Sequence, residues 1–387
     1  MILLYIIFGY ILVNVGYYAF YTVVGHVRPK THLKKTNASP RRIAVFIPAY
    51  KEDGIILDTA KKATLQRYPV NQFDVFIIAD SLKKETLVEL RKLSVKVIEV
   101  SFEQSTKAKA INKAYEIIQS VYDIVVVLDA DNVMENQFLT KINQAYQSGM
   151  KAIQGHRVAK NSQNNMAVMD GVSEEINNHI FRKGHQNAGL SSALIGSGMA
   201  FDYQLFKEYM SNINAIGGFD KALELAFLKN GIKIYYLEDA LVYDEKVAND
   251  QTFTRQRTRW IAAQIRYGIS SFGDALKQLI TKGNRDYFDK SLQFLLLPRL
   301  ILLGVLGLAV PVASLVFGWS GLIWSMSAAI LYVLTLLFAM PASQRKATVF
   351  KAAIKLPKTF VLMIIALFGF KKAKNNFLHT PHQHSAS

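Results

Sequence analysis

The sequence predicts an α/β domain with a mostly parallel sheet, flanked at both ends of the chain by membrane-spanning or interfacial helices. One basis is the alternation of short β-branched segments with amphipathic segments between residues 43 and 250, which is typical of an open sheet covered by helices. Another is the pair of long apolar regions that precede and follow this part of the chain. Composition agrees, since 51% of the 387 residues are hydrophobic, a high fraction for a purely soluble protein.

The chain begins with an apolar segment, residues 1–24, that carries no charged side chain. Its length is sufficient to span about 30 Å of hydrocarbon, and it lacks the basic start and small-residue cleavage site of a signal peptide. We therefore predict a retained transmembrane helix. Residues 25–42 form a basic linker without acidic residues. Because basic residues collect on the cytoplasmic side of membranes, we expect the N-terminus outside and the following domain in the cytoplasm.

Five segments of the α/β region are predicted strands, with amphipathic helices between them. Three of the strands end in polar residues, and in an open parallel sheet ligands bind beyond the carboxyl ends of the strands. We assign residues 43–290 to this domain. The predicted strands are 43–49, 74–80, 96–100, 124–131 and 232–238, and the predicted helices are 58–66, 84–93 and 107–119.

Asp129 and Asp131 follow the most hydrophobic strand of this domain. Two carboxylates one residue apart cannot both be buried without partners, because each would pay a large desolvation cost. A bound Mg²⁺ or Mn²⁺ would relieve that cost, since these hard cations prefer carboxylate oxygens and bridge to substrate phosphates. An ordinary solvated turn would also accommodate the two residues, so the pair alone does not decide the function.

Beyond residue 290 the pattern changes to apolar segments of membrane length. Residues 291–340 are predicted to form two transmembrane helices, 300–317 and 322–340, separated by a tight turn. Residues 341–387 are predicted to form interfacial helices on the cytoplasmic leaflet followed by a C-terminal tail, because a short apolar segment there has lysines on both sides. This topology gives three spans and a cytoplasmic C-terminus.

The net charge of +17 is compatible with nucleic acid, an anionic membrane surface or anionic substrates. Basic residues lie beside the apolar segments, and no zinc-finger, RNP or helix-turn-helix pattern is present, so we expect membrane lipids and no nucleic acid as partners. The chain has no cysteine, which excludes disulfides and thiolate metal sites.

Six short motifs follow one another along the α/β domain, each of them weak alone. They are Pro48, Tyr50 and Glu52 after the first strand, Asp80 after the second, Lys107 at a helix start, Asp129 with Asp131, the Gly196-Ser197-Gly198 loop, and Gln256, Arg259 and Trp260 in a QxxRW pattern. In this order, and between membrane-type helices, they make residues 43–260 resemble the membrane-integrated, inverting family 2 glycosyltransferases of GT-A fold. This group includes hyaluronan, chitin and cellulose synthases.

The resemblance implies roles for the motif residues. Asp80 would accept a hydrogen bond from a uracil N–H, Lys107 would place a cation near the phosphates, and Arg259 would bind the diphosphate. Tyr50 and Trp260 would offer flat faces to the base and to a sugar ring. As structural alternatives, Tyr50 and Trp260 pack in the core, Lys107 is a solvated helix charge, and the glycines only shape a turn. The implied sets are Pro48, Tyr50, Glu52, Asp80, Lys107 and Asp129 for the nucleotide sugar, Gly196, Ser197, Gly198, Gln256, Arg259 and Trp260 for acceptor and diphosphate, and Asp129 and Asp131 for the metal.

The general base departs from the pattern of the resembled family, which usually offers the Asp of a Glu-Asp pair shortly after a Gly-Gly-aromatic turn. Here Gly217-Gly218-Phe219 precedes Asp220, so Phe219 stands where the Glu would be. The resemblance implies Asp220 as the base that accepts the acceptor's proton, with Glu224 as the alternative. Asp220 could instead cap the helix that starts here.

Two further segments allow two interpretations each. Residues 243–246 follow a predicted strand and either line the site or form a solvated loop. The tail segment from Phe377 to His382, with His379 among its residues, either folds back over the diphosphate or frays.

The resemblance implies an enzyme that uses Mg²⁺ or Mn²⁺ to move a sugar, with inversion, from a UDP-sugar to a growing polysaccharide or a lipid-linked glycan. Two alternatives stay open: single-sugar transfer to a membrane lipid, and a non-catalytic membrane subunit that binds a glycan or a nucleotide. The expected partners are therefore a UDP-sugar donor, a glycan or lipid-linked acceptor, membrane lipids and, if a polymer is exported, secretion or assembly partners.

Overall fold

The computed structural model describes residues 1–27, 39–161, 164–215, 217–246, 249–345 and 347–368. Its centre is an eight-stranded mixed sheet with the strand order β3-β2-β1-β4-β7-β6-β8-β5. The strands are β1 (Ile43–Tyr50), β2 (Phe73–Asp80), β3 (Lys96–Val100), β4 (Ile124–Val127), β5 (Val133–Met134), β6 (Ala152–Ala159), β7 (Met199–Asp202) and β8 (Tyr235–Asp244).

The first half of the sheet is parallel and follows the sequence prediction. β1 pairs in parallel with β2 on one side and β4 on the other, so Tyr50 lies opposite Asp80 and Phe46 lies opposite Val127. These strands are almost continuous runs of buried β-branched and aromatic residues, as expected where helices cover both faces. Their carboxyl ends consequently meet at one edge, where Asp80 and Asp129 follow.

The second half of the sheet contains strands that the sequence analysis missed. β7 runs antiparallel to both β4 and β6, whereas β6 and β8 are parallel. β6 carries Gln154, His156 and Arg157 in its interior, which obscures its pattern, and β7 has only four residues. β8 extends through Asp244, so the first half of segment 243–246 belongs to a strand and not to a loop.

Helices cover both faces of the sheet and extend beyond it. In the α/β domain they are α2 (Ile56–Ala63), α3 (Lys84–Arg91), α4 (Lys107–Ile117), α5 (Phe138–Gln147), α6 (Asn165–Asn177), α7 (His185–Asn187), α8 (Tyr203–Ser211) and α9 (Phe219–Lys229). A π-helical segment, Asn178–Gly184, joins α6 to α7. The helices outside the sheet region are α1 (Ile2–Gly25), α10 (Asp250–Lys282), α11 (Arg285–Leu295), α12 (Arg299–Ala339), α13 (Ala347–Ala353) and α14 (Leu356–Phe368).

By length and composition, two of the described helices, α1 and α12, could cross a membrane. α12 is a hairpin, because Gly318 has non-helical dihedral angles (φ 62°, ψ −143°) and the Tyr332 hydroxyl donates to the Arg299 carbonyl over 3.0 Å. In a straight helix 33 residues would separate those two positions by roughly 50 Å. The reversal lies where the sequence predicts a turn, and each arm is roughly 30 Å long.

The start of α1 lies beside the tip of the α12 hairpin. Tyr5 and Phe8, near the start of α1, contact Phe317 at the tip of the hairpin, with ring centroids 5.5 and 5.8 Å apart. α14 packs against α10 through a cluster that contains Phe253 and Met363. The predicted tail with His379 and His382, and residues 28–38 of the basic linker, lie outside the described residues.

Candidate active site

The site is organised around Asp129, which follows β4 at the carboxyl edge of the sheet. Lys107, the first residue of α4, places Nζ 2.5 Å from Asp129 Oδ1 and 2.7 Å from the Gly196 carbonyl oxygen. The Asp129 side chain remains 39% exposed, whereas that of Lys107 is 20% exposed. Lys107 is therefore not a solvated helix charge, since it balances an accessible carboxylate and ties two loops together.

The Gly196-Ser197-Gly198 loop is bonded directly to the carboxylate motif. Ser197 Oγ accepts from the Asp129 backbone N–H over 2.9 Å and donates to Asn132 Oδ1 over 2.5 Å. Gly198 has φ of +62°, and an added Cβ would lie 2.9 Å from Val242 Cγ2, so only glycine fits there. The loop thus supports the backbone on which Asp129 stands.

Asp131 lies in a different environment from Asp129. It is 6% exposed, and Asn132 Nδ2 donates both to Asp131 Oδ1 and to Asp244 Oδ1, each over 2.9 Å. Among the described residues no group of three or more His, Cys, Asp or Glu side chains could by itself enclose a metal ion. Two carboxylates nevertheless fit a Mg²⁺ or Mn²⁺ ion that completes its shell with diphosphate oxygens and water, which is the usual pattern for Mg²⁺.

Behind the carboxylate motif lies a buried ionic network that the sequence analysis did not identify. Lys246 Nζ is 2.7 Å from Asp244 Oδ2, and Arg157 Nη2 and Arg182 Nη1 are 2.9 and 3.2 Å from the two oxygens of Glu174. Burial raises the pKa of Asp244 and of Glu174, but the surrounding cations outweigh it and hold both pKa values below their usual range. None of these residues lies in a strand or helix that the sequence predicts, so no local pattern in the sequence revealed the network.

The other predicted donor residues lie at the ends of β1 and β2. Asp80 is 2% exposed, accepts from Ser81 Oγ over 3.0 Å and, through its carbonyl, from the Lys51 N–H over 3.1 Å. Lys51 and Ser81 have φ of 55° and 58°, the two positive values among described non-glycine residues. Lys51 Nζ also lies 5.1 Å from the centroid of the Tyr50 ring. Such strained residues cluster at ligand sites, which agrees with a binding role for this edge.

A cavity of about 970 Å³ has Asp129 in its wall. Lys107, Asp129, Gly196, Asp220, Glu224, Arg259 and Trp260 line it, whereas Pro48, Tyr50, Glu52, Asp80, Asp131, Ser197, Gly198 and Gln256 do not. The cavity thus brings together seven of the predicted site residues, and the other eight lie outside it. The cavity continues beyond the α/β domain to residues of the α12 hairpin, among them Leu303 and Leu336.

The two candidate bases differ in their surroundings. α9 begins after Gly218, which has φ of +68°, so Asp220 lies in the first turn and is not the cap. Its side chain is 15% exposed, and its Oδ2 is 3.9 Å from Lys221 Nζ. Glu224 is 1% exposed, its Oε1 lies 2.8 Å from Lys290 Nζ, and it accepts from the Leu194 N–H over 3.3 Å.

The QxxRW residues lie on α10. Burial lowers the pKa of Arg259 despite the opposing influence of the Asp129 charge, which links this helix to the carboxylate motif. The guanidinium of Arg257 lies 4.3 Å from the Trp260 ring centroid, so one face of the indole is already covered. Gln256 Oε1 is buried without a hydrogen-bond partner among the described residues.

Comparisons with known proteins agree with this geometry. Residues 40–263 match the family model described as "Glycosyltransferase like family 2". Two curated proteins named beta-monoglucosyldiacylglycerol synthase, from Nostoc sp. and Trichormus variabilis, are 25% and 24% identical in alignments of 247 positions. Each alignment covers 60% of this chain and 51% of the relative. The chain therefore spans about half the length of the curated relatives it matches.

Among solved structures, the mannosyltransferase PcManGT from Pyrobaculum calidifontis, in complex with GDP-Man and Mn²⁺, aligns with a TM-score of 0.56. The alignment covers 96% of this chain and 98% of that one at 15% identity. At this identity the likeness concerns the fold, and it confirms the predicted α/β fold of GT-A type.

Proposed function

This chain belongs to the family described as Glycosyltransferase like family 2, and from that premise we propose that it transfers a sugar from a UDP-sugar to a hydroxyl group of a membrane lipid. One observation carries the choice of acceptor: a single cavity runs from Asp129 and Asp220 to the apolar hairpin. An apolar cavity wall would not stabilise a hydrated polysaccharide, whereas it would stabilise an acyl or isoprenoid chain. The two curated relatives are named for a glucosylated diacylglycerol.

The polysaccharide alternative depends chiefly on the QxxRW residues. In that alternative Trp260 offers a flat face to a sugar of the growing chain, but Arg257 occupies one of its faces. Arg257 is held in place by an ion pair with Asp170. The indole can therefore contact a ligand through one face only, which suits a single acceptor better than a platform for a sliding polymer.

We assign the donor to the strand-end side of Asp129. The buried Asp80 carboxylate is suited to accept from the N–H of a pyrimidine, and the strained turn after β1 brings the backbone of Lys51 beside it. Lys107 and Arg259 would bind the diphosphate as charge-assisted donors. A divalent ion on Asp129 and Asp131, when bound, would neutralise charge on the leaving diphosphate.

Asp220 is the proposed general base. An added Cβ at Gly196 would lie 3.8 Å from Asp220 Cγ, so this carboxylate stands beside the loop that Lys107 and Asp129 hold. The acceptor oxygen would form a bond to the anomeric carbon while the diphosphate leaves with the electrons of the old bond. The hydroxyl proton would pass to Asp220, and attack from the side opposite the diphosphate inverts the centre. Glu224 is already committed to Lys290.

Membrane integration is part of the proposal. Leu315, Trp319 and Trp324 on the hairpin are 87%, 80% and 74% exposed, which an aqueous surface would not favour. The basic residues that follow α1 support a cytoplasmic location for the α/β domain, with the N-terminus and the hairpin tip outside. The C-terminus is then cytoplasmic, and α14 would lie at the inner surface as an interfacial helix.

The test is a transfer assay with the full chain reconstituted in vesicles that contain diacylglycerol and phosphatidylglycerol. Each of several UDP-sugars is supplied with Mn²⁺, and the extracted lipids are analysed by mass spectrometry. We expect one lipid to gain the mass of a single sugar, and the product to disappear in Asp220→Asn. Asp239→Asn, at an exposed carboxylate outside the cavity, is the matched control and should remain active.

Two other outcomes would contradict the proposal. UDP release accompanied by a polymer and no glycosylated lipid would favour polysaccharide synthesis. Tight UDP binding without release from any donor would favour a non-catalytic subunit.

A further inference from the structure

The cavity contains more positive than negative side chains. Nine lysine and arginine residues line it against five aspartate and glutamate residues. Each of these carboxylates already has a cation no further than 3.9 Å away. The excess positive charge therefore has no carboxylate of the described cavity wall left to balance it.

Among these basic residues, Arg299 is the one whose hydrogen-bond acceptors are most clearly neutral. Its Nη2 donates to the carbonyl oxygen and to Oγ of Ser173, over 2.7 and 2.9 Å. Both acceptors are neutral, and within the described chain Nε and Nη1 of Arg299 donate to no protein atom. A guanidinium in a partly enclosed site is costly without an anion, and its remaining donors match the geometry of a phosphate.

The position of Arg299 indicates what kind of anion would reach it. It is the first residue of α12, and the cavity wall becomes apolar directly after it, at Leu300 and Leu303. On the facing arm the wall continues with Leu336 and Met340. An anion bound by Arg299 would thus have an apolar surface on one side and the polar end of the cavity on the other.

We infer that the cavity binds a lipid with a phosphate-bearing headgroup, with Arg299 holding the phosphate and the hairpin side of the cavity holding the start of the chains. This inference rests on the proposed function, because the same lipid would present its hydroxyl group towards Asp220. It adds a substrate class, since a neutral lipid would leave Arg299 without an anion.

The test compares dioctanoylphosphatidylglycerol with dioctanoylglycerol, because both carry a hydroxyl group and only the first carries a phosphate. Binding to the full-length protein in detergent is measured by calorimetry without any sugar donor. We expect the phosphate lipid to bind roughly tenfold more tightly, the difference that one charge-assisted contact provides. Arg299→Gln should abolish most of this difference, and Arg299→Lys should keep part of it.

Two controls address folding and general charge. Arg255→Gln removes an exposed positive charge on α10 that lies outside the cavity, and it should change neither affinity. The Arg299 variants should keep the wild-type affinity for dioctanoylglycerol and for UDP, which shows that the site is folded and that Arg299 does not serve the donor.

Several results would overturn the inference. Equal binding of the two lipids to the wild type would do so, as would an equal loss in Arg255→Gln or weakened UDP binding in Arg299→Gln. If millimolar inorganic phosphate displaced the lipid completely, the site would be one for free anions. The proposed function fails separately. If the lipids bind as expected but no sugar is transferred, the proposed enzymatic activity is refuted. If sugar is transferred to the neutral lipid and Arg299→Gln does not affect that transfer, the phosphate-binding role of Arg299 is refuted.

Discussion

Replacing Glu224 with glutamine tests whether this residue is structural or catalytic. Glu224 and Lys290 are each 1% exposed, and their charged atoms are 2.8 Å apart. Glu224→Gln removes the negative charge and leaves the ammonium of Lys290 buried beside Gln293, which is neutral. Breaking a buried ion pair in this way typically costs about 3–5 kcal/mol, because the remaining charge has lost its partner.

We take the lower end, about 3 kcal/mol, because the Gln293 side chain still accepts a hydrogen bond from Lys290. For a domain of this size such a loss lowers the unfolding temperature by roughly 6–12 °C. The assay is thermal unfolding of the detergent-solubilised protein, followed by tryptophan fluorescence. The double variant Glu224→Gln with Lys290→Met removes both charges and should recover most of the loss, since no unpaired charge remains.

The result that would refute this reasoning is a Glu224→Gln protein with unchanged unfolding temperature and abolished sugar transfer. That pattern would make Glu224 the base. A destabilised variant that retains transfer below its unfolding temperature supports the structural role and leaves Asp220 as the base.

Three further predictions follow from the site. Asp129→Asn should reduce sugar transfer by at least about 100-fold and remove the dependence of UDP affinity on Mn²⁺, measured by calorimetry, because the accessible carboxylate is lost while side-chain size is kept; retained metal dependence would contradict the assignment. The pKa of Asp244 is held below its usual value, so its contribution to stability is present above about pH 4 and lost as the pH falls through the folded value; acid unfolding should be less steep in Asp244→Asn. Gly198→Ala should destabilise the protein by about 1–3 kcal/mol in thermal unfolding, because its φ is positive and the new methyl would meet Val242, whereas Gly273→Ala, in an open part of α10, should be neutral or slightly stabilising.

The sequence predicts those strands whose burial produces a recognisable run of apolar residues. β1, β2 and β4 are buried by helices on both faces, so selection for burial leaves uninterrupted apolar runs. β6 is equally central, but Gln154, His156 and Arg157 make polar contacts with a loop, a neighbouring strand and helix α6, and no local pattern reveals partners elsewhere in the chain.

The candidate site also contains both residues that the local sequence reveals and residue pairs that only the fold reveals. Motif order was sufficient to indicate Lys107 and Asp129, because each lies at the start or end of a regular element. The pair Glu224–Lys290 is separated by 66 positions, and the bond from Asn132 to Asp244 by 112, so only the folded chain shows them. In the sequence Glu224 is therefore an alternative base, whereas its burial beside Lys290 favours the structural role that Glu224→Gln would test.

Two neighbouring residues of α11 connect the membrane-type helix to the proposed catalytic helix. Asp289 accepts from the Tyr21 hydroxyl of α1 over 2.7 Å and lies 3.1 Å from His185 Nε2, whereas the next residue, Lys290, pairs with Glu224 of α9. A buried charge is stable only with its partner, so neither contact can shift without leaving an unpaired group. Because Glu224 lies one turn after the proposed base, α11 fixes the position of that base relative to α1. With α1 inserted in the membrane as proposed, this connection would hold the site at a defined height above the membrane surface, which transfer to a lipid acceptor requires.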